Sequence, residues 1–85
     1  MNISRSEQRV LHVLAKGGII RHFRDERGHV HRVECVTHDG LLLADCDLAT
    51  FGRLRRRRLI ESFQSSPYRI SRLGREAVRS QADNR

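Results

Sequence analysis

The sequence has no long apolar run, few cysteines and almost no lysine. Its longest apolar run, residues 41–44, is far shorter than the ~20 residues of a membrane-spanning helix, so we expect no membrane span. Cys35 and Cys46 are too few for the disulfide framework of a small secreted domain. Because the first residues also lack an apolar signal segment, we expect a cytoplasmic protein with reduced thiols.

The sequence also lacks the patterns of catalytic and metal centres. Its 85 residues allow one small domain, which excludes the deep cleft of a two-domain enzyme. Asp45 and Asp47 lie two residues apart, but helix capping explains Asp47 more simply than acid–base catalysis. His22, His31 and Cys35 fall on one face of a predicted hairpin without the two close ligand pairs typical of zinc sites. We therefore predict no enzymatic activity, no metal and no cofactor.

Positive charge is what the sequence has in excess. The chain carries 17 basic and 10 acidic residues, for a formal net charge of +7, and Lys16 is the single basic residue that is not arginine. A sequence pI of 11.2 indicates an acidic or polyanionic partner. Nucleic acid is the first candidate and an acidic protein surface is the second. A lipid surface comes third, because the sequence has no long basic amphipathic stretch.

Residues 4–16 are predicted to form the first helix. Ser4 and Glu7 have the spacing of a capping box, and apolar residues recur at helical spacing from Val10 onward. Gly17 suits the left-handed position that follows a helix, so we expect the helix to end there.

Residues 19–24 and 29–37 predict a β-hairpin, because β-branched and aromatic residues flank a turn. Two registers remain open. A four-residue loop pairs His22 with His31, whereas a two-residue loop pairs Arg21 with Glu34, which is electrostatically better. In both registers one face carries Ile20, His22, His31, Val33 and Cys35, and the other carries Ile19, Phe23, Val30 and Val36. We expect the second face to contact the core, since it is the more apolar.

Residues 41–44 are too few to distinguish a buried strand from a short helix. We expect their three leucines to lie in the core, with an exposed partner-binding stripe as the alternative. Asp47 is a suitable N-cap for the next helix. That helix is expected to bury Phe51 and Leu54 and to lay the aliphatic stem of Arg55 along the core.

Residues 59–71 alternate as a second hairpin, and Ser71 is expected to cap a last short helix that ends near Arg79. The predicted fold is α+β, a small winged-helix-like domain with the order helix, β-hairpin, short extended run, helix, β-hairpin wing, short helix. The first hairpin and the extended run replace the second helix of an ordinary winged helix. We place the single domain at residues 1–80 and a flexible tail at residues 81–85.

Several segments resemble the YjhX toxin family. They are residues 4–18 (SRSEQRVLHVLAKGG), 33–35 (VEC), 40–46 (GLLLADC), 67–70 (PYRI) and 83–85 (DNR). The resemblance covers nearly the whole chain and includes its length. It implies a small bacterial toxin of a type II toxin–antitoxin pair, which inhibits DNA topoisomerase I and is neutralised by an acetyltransferase-like antitoxin. The basic segment departs from the family pattern, since it has four consecutive arginines where the family is lysine-rich.

The arginines that begin at Arg53 are the leading functional signal. Arginine reads guanine edges, neutralises phosphates and forms forked pairs with carboxylates. A solvated helix face in an arginine-rich genome is the alternative interpretation. The residues expected to contact nucleic acid or a protein partner are Arg53, Arg56, Arg57, Arg58, Arg69 and Arg72.

Two main function hypotheses follow. The first is a toxin-like binding inhibitor of DNA topoisomerase I or of its complex with DNA, and it depends mainly on the family resemblance. The second is a winged-helix DNA-binding protein that represses its own operon, and it depends on charge and organisation. An RNA-associated module is a weaker third hypothesis.

Overall fold

The computed structural model describes residues 2–82, which form three helices and five strands. The elements are α1 (Arg5–Ala15), β1 (Ile19–Arg24), β2 (Val30–Val36), β3 (Leu42–Leu43), α2 (Leu48–Arg56), β4 (Ile60–Glu61), β5 (Arg69–Ile70) and α3 (Arg72–Ala82). One antiparallel sheet has the order β1-β2-β3, and β4 pairs with β5 in a second. This succession confirms the predicted α+β order of helix, hairpin, extended run, helix, hairpin and helix.

The ends of α1 form as its sequence predicts. The Ser4 side-chain oxygen accepts a hydrogen bond from the Glu7 N–H at 3.1 Å, and the Glu7 carboxylate accepts one from the Ser4 N–H at 2.7 Å. This reciprocal capping box satisfies two N–H groups that the helix leaves unpaired. At the other end Gly17 has a φ of 101°, a backbone conformation that glycine adopts without steric cost.

The first hairpin adopts the register that brings opposite charges together. Arg21 pairs with Glu34 across β1 and β2, and their charged groups lie 3.1 Å apart. The register shifts between Phe23 and Arg24, so the strands end in an irregular loop rather than a two-residue turn. The alternative register, which paired His22 with His31, is not the one observed.

The expected core face of this hairpin was wrong. Ile20, Val33 and Cys35 are buried in the core, although we expected the opposite face to contact it. Phe23 lies on the outer face, where the guanidinium carbon of Arg32 sits 4.2 Å from the centre of its ring. This cation–π contact covers part of the Phe23 ring, and Val30 is the residue of the expected face that packs against the core.

The expected burial of the leucines in residues 41–44 was also wrong for two of them. Leu42 and Leu43 form a strand that pairs with the end of β2. Leu41 and Leu42 are nevertheless 64% and 63% exposed, and only Leu43 packs against the core. β3 has only two residues and is at the edge of the sheet, so one of its faces contacts the core and the other faces solvent.

The second hairpin is attached to the first sheet. Ile20 and Tyr68 exchange backbone hydrogen bonds of 2.9 and 2.8 Å, which ties the approach to β5 against β1. α3 then packs on α1. The helix α3 continues to Ala82, so residues 81 and 82 of the expected tail belong to it, whereas residues 83–85 lie outside the described residues. Within residues 2–82, no helix has the length and apolar character to cross a membrane.

Candidate functional site

The helix α2 carries most of the predicted site, and two local features fix its position. The Asp47 carboxylate accepts a hydrogen bond from the Thr50 N–H at 2.8 Å, which confirms Asp47 as the N-cap. Phe51 and Leu54 are 3% and 0% exposed and anchor the helix in the core. The remaining positions divide into two flanks, one facing α1 and one facing the end of the first hairpin.

The α1 flank consists of Arg53 and Arg57. The Nε of Arg53 and the Nη1 of Arg57 lie 3.6 and 3.5 Å from the same oxygen, Oε2 of Glu7. Arg57 also donates to the carbonyl oxygen of Asn2 at 2.8 Å, and Arg53 to the Thr50 hydroxyl at 3.3 Å. Two of the six predicted contact residues therefore connect α2 to the start of α1.

The Glu7 side chain is only 2% exposed and is ionised by its neighbours. Burial alone would raise the pKa of this carboxyl, but the two hydrogen bonds with Ser4 and the charges of Arg57 and Arg53 outweigh it and lower the pKa. The two guanidinium groups of the α1 flank thus share one buried carboxylate, which neutralises one of their two positive charges. Arg53 and Arg57 therefore have a structural contact in addition to their predicted contact with a partner.

The groove flank consists of Leu48, Gly52, Arg55 and Arg56. With Arg24, Gly28, His29 and Val30 at the end of the first hairpin, it encloses an open groove of about 430 Å³. We call this space the arginine groove. The expectation that Arg55 lines the core was wrong, since its side chain is exposed and lies in this groove.

The charges in the arginine groove come from both walls. Arg24 donates from Nη1 to the carbonyl oxygen of Gly28 at 2.7 Å, which holds its guanidinium at the hairpin end. Among the residues that the structure describes, no acidic side chain forms an ion pair with Arg24, Arg55 or Arg56. The groove therefore keeps an unbalanced positive charge that attracts anions.

The positive charge of the groove arginines also affects His22. Its Nδ1 atom is buried without a hydrogen-bond partner, and its ring makes an edge-on contact with Tyr68 at 5.2 Å. Burial lowers the pKa of His22, and the nearby charges of Arg24 and Arg55 lower it further. The imidazole is consequently held neutral beside the groove.

Arg58 occupies a position where glycine is usual. The Leu59 N–H donates to the Leu54 carbonyl and the Arg58 N–H to the Arg55 carbonyl, both at 3.0 Å, which is the hydrogen-bond pattern of a Schellman motif. Arg58 is the left-handed residue of this motif, with a φ of 61°. An arginine side chain here is strained relative to glycine and projects from the end of α2 into solvent.

The last two predicted contact residues lie on other elements. Arg69 pairs in register with Glu61 across the second hairpin, and Arg72 forms an exposed ion pair with Glu76 at 3.7 Å. The loop between β4 and β5 also exposes Phe63, which is 77% accessible. The six predicted residues thus belong to several surfaces, and only Arg56 of the six lines the arginine groove.

Sequence reasoning missed Arg24 and misplaced Arg55. The signal that could have found Arg55 is its spacing of three residues from Gly52 and seven from Leu48, which puts all three on one side of a helix. Arg24 offers no such signal, because its position depends on how the hairpin folds over α2.

The histidines and cysteines do not form a second site within residues 2–82. No three His, Cys, Asp or Glu side chains of this range converge to hold a metal ion. Cys35 and Cys46 are both free and buried. A hydrogen bond from Cys46 lowers the pKa of Cys35 and raises that of the Cys46 thiol, so the pair is an internal contact of the core.

Comparison with known proteins identifies the family. The chain is 65% identical to a UPF0386 protein of Beijerinckia indica and 64% identical to one of Brucella anthropi, in each case over 85 residues and the full length of both chains. A UPF0386 protein of Parvibaculum lavamentivorans is 61% identical over the same extent. No solved structure matches the chain. A family model described as "putative toxin of bacterial toxin-antitoxin pair" matches residues 1–85, and the chain therefore belongs to the YjhX toxin family.

Proposed function

We propose that the protein is a toxin that inhibits DNA topoisomerase I by binding it, or its complex with DNA, and not by an enzymatic reaction. Membership of a toxin–antitoxin family is the observation that carries the toxin assignment. The choice of topoisomerase I follows from the family resemblance of the sequence.

The groove flank of α2 is the surface that we propose for target binding. Arg55 and Arg56 are exposed and lack acidic partners in the described part of the chain, whereas Arg53 and Arg57 are occupied by Glu7. Guanidinium groups bind carboxylates and phosphates in forked pairs. This flank therefore suits either an acidic surface of the enzyme or the DNA that the enzyme holds. Arg58 and Arg69 are exposed outside this flank, at the end of α2 and in the second hairpin.

A relaxation assay with purified topoisomerase I and supercoiled DNA tests this function. We expect the protein to block relaxation at amounts far below those needed to coat the DNA. We also expect it to co-purify with the enzyme in the absence of DNA. Inhibition that appears only when the DNA is saturated, or no inhibition at all, would contradict a target on the enzyme.

Binding to duplex DNA is the second candidate function, and one contact favours it. The second hairpin follows α2 in the chain, and the hydrogen-bonded bridge between Ile20 and Tyr68 attaches this hairpin to β1. A helix followed by a hairpin that joins the preceding sheet is the arrangement in which a recognition helix and a wing contact DNA. We include a winged-helix repressor of its own operon as this alternative.

Duplex binding at two salt concentrations distinguishes the two candidates. A DNA-binding protein binds duplex without the enzyme, and its affinity falls steeply with salt because counterions are released from the phosphates. An enzyme-directed inhibitor shows weak duplex binding but retains the interaction with topoisomerase I.

The antitoxin is the second partner that the family implies, and we propose that it is an acetyltransferase-like protein that covers the edge of β3. Leu41 and Leu42 are exposed there, β3 is at the edge of its sheet, and such edges pair readily with another chain. Replacing Leu42 with Lys should weaken co-purification with the antitoxin and leave inhibition unchanged. Unchanged co-purification would place the antitoxin elsewhere.

A further inference from the structure

A glycine without a packing role lies on the groove flank. Gly52 is in the middle of α2, where glycine is less favourable than alanine. A Cβ at Gly52 would contact only Nη1 of Arg56, at 3.4 Å, which is an ordinary contact with the end of a flexible side chain. Gly74 in α3 differs, because a Cβ there would lie 2.2 Å from the carbonyl oxygen of Leu59. Packing thus explains Gly74 and does not explain Gly52.

The missing side chain of Gly52 leaves the α2 side of the arginine groove open. Gly52 is part of the groove lining together with Arg55 and Arg56 of the same flank. A ligand can therefore approach the backbone of α2 while it contacts arginines on both walls. Close approach of a ligand to the backbone is one of the uses for which glycine is retained at a cost in stability.

The lining combines charge with apolar surface. Arg24, Arg55 and Arg56 supply guanidinium groups, while the partly exposed Leu48 and the half-buried Val30 supply apolar contacts. A volume of about 430 Å³ lies in the range of ~300–1,000 Å³ typical of small-ligand sites. An anionic group joined to a flat apolar group, as in a nucleotide, matches both parts of the lining.

We propose that the arginine groove binds one nucleotide unit of a single-stranded nucleic acid. The phosphate lies between Arg24 and the two arginines of the groove flank, and the sugar and base lie over Leu48 and Val30. A single strand presents phosphate and base to the same groove, whereas a duplex keeps its bases stacked inside. This inference does not rest on inhibition of topoisomerase I, because it concerns the isolated protein.

The test uses fluorescence polarisation of a labelled deoxythymidine hexamer with the full chain at low salt. Gly52→Gln fills the groove without changing the net charge, and Ala49→Gln adds the same side chain to an exposed position of α2 outside the lining. We expect Gly52→Gln to weaken binding by about tenfold or more, and Ala49→Gln to change it by less than about twofold. Thymidine monophosphate should compete for the same site, and inorganic phosphate should compete more weakly.

Folding is checked separately with Gly52→Ala. This substitution should raise the melting temperature by about 4 °C, because alanine stabilises the helix and meets no clash. Equal weakening by the two glutamine variants would overturn the proposal, as would absence of hexamer binding. Displacement of the hexamer by an acidic peptide more readily than by the mononucleotide would also overturn it. Inhibition of topoisomerase I without hexamer binding would refute only the proposed nucleotide site. Hexamer binding without inhibition would refute only the proposed target.

Discussion

The Nη1 atom of Arg57 lies 3.5 Å from Oε2 of Glu7, a carboxylate whose side chain is only 2% exposed. The same guanidinium donates to the Asn2 carbonyl, so Arg57 connects the start of α1 to the end of α2. An arginine that the sequence places among candidate contact residues thereby holds two helices together. Its neighbour Arg56 points into the arginine groove and makes no such contact within residues 2–82.

Replacement of Arg57 with Ala should therefore destabilise the fold, and replacement of Arg56 should not. We expect Arg57→Ala to lower the free energy of unfolding by about 1 kcal/mol, since it removes a hydrogen bond and a half-exposed ion pair. Arg56→Ala should change it by less than about 0.5 kcal/mol. Urea unfolding measures both, and equal effects of the two variants would contradict the division of α2 into two flanks.

Glu7 should make stability depend on pH in the acid range. The pKa of Glu7 is lowered from 4.5 in the folded protein, so its stabilising contribution is complete above that value and is lost as the pH falls through the folded pKa. Glu7→Gln should be less stable than the parent at neutral pH, and the difference should shrink in acid. Unfolding curves at several pH values measure this. A dependence of stability on pH that persists in Glu7→Gln belongs to Asp39 and Asp47, whose pKa values are lowered by hydrogen bonds with Thr37 and Thr50. A stability difference between parent and variant that stays constant with pH would contradict the role of Glu7.

His22 should contribute a second loss of stability as the pH falls, in a pH range above that of Glu7. Its pKa is lowered from 6.5 by burial and by Arg24 and Arg55, so folding favours the neutral ring. The contribution is complete above pH 6.5 and is lost as the pH falls toward the folded pKa, because the unfolded chain binds a proton more readily. His22→Phe keeps the aromatic contact with Tyr68 and should remove this phase. An unchanged pH profile below pH 6.5 would show that His22 is not responsible.

Glycine at position 58 should stabilise the protein. Arg58 has a φ of 61°, and relief of this left-handed conformation is worth about 1 kcal/mol. Gly17 occupies the corresponding position at the end of α1, so Gly17→Ala should have the opposite effect. Thermal unfolding of Arg58→Gly and Gly17→Ala tests the pair. A loss of stability in Arg58→Gly would mean that the arginine side chain makes a stabilising contact that outweighs the strain.

Local patterns in the sequence predicted the elements well. The Ser4 and Glu7 spacing, the glycine after α1 and the N-cap at Asp47 each depend on residues within one turn, and each forms as expected. The register of the first hairpin was one of two alternatives, and the attraction between Arg21 and Glu34 favoured the one observed.

Features that depend on distant residues were not predictable in the same way. Ile20 is buried, and its backbone pairs with Tyr68, which lies 48 residues later in the chain. Arg55 and Arg57 are two residues apart in one arginine run, yet one faces the groove and the other faces Glu7. Charge and spacing located the run, and tertiary packing assigned its members to different roles.

The most direct test of the target-binding surface compares two double variants that lose the same charge. Arg55→Ala/Arg56→Ala removes the arginines of the groove flank, and Arg75→Ala/Arg79→Ala removes two exposed arginines of α3. Inhibition of topoisomerase I relaxation is measured for both, with folding verified by thermal unfolding. We predict that the groove-flank variant loses inhibition by about tenfold or more while the α3 variant keeps it within about twofold. Equal loss in both variants, or full inhibition by the groove-flank variant, would contradict the assignment of target binding to α2.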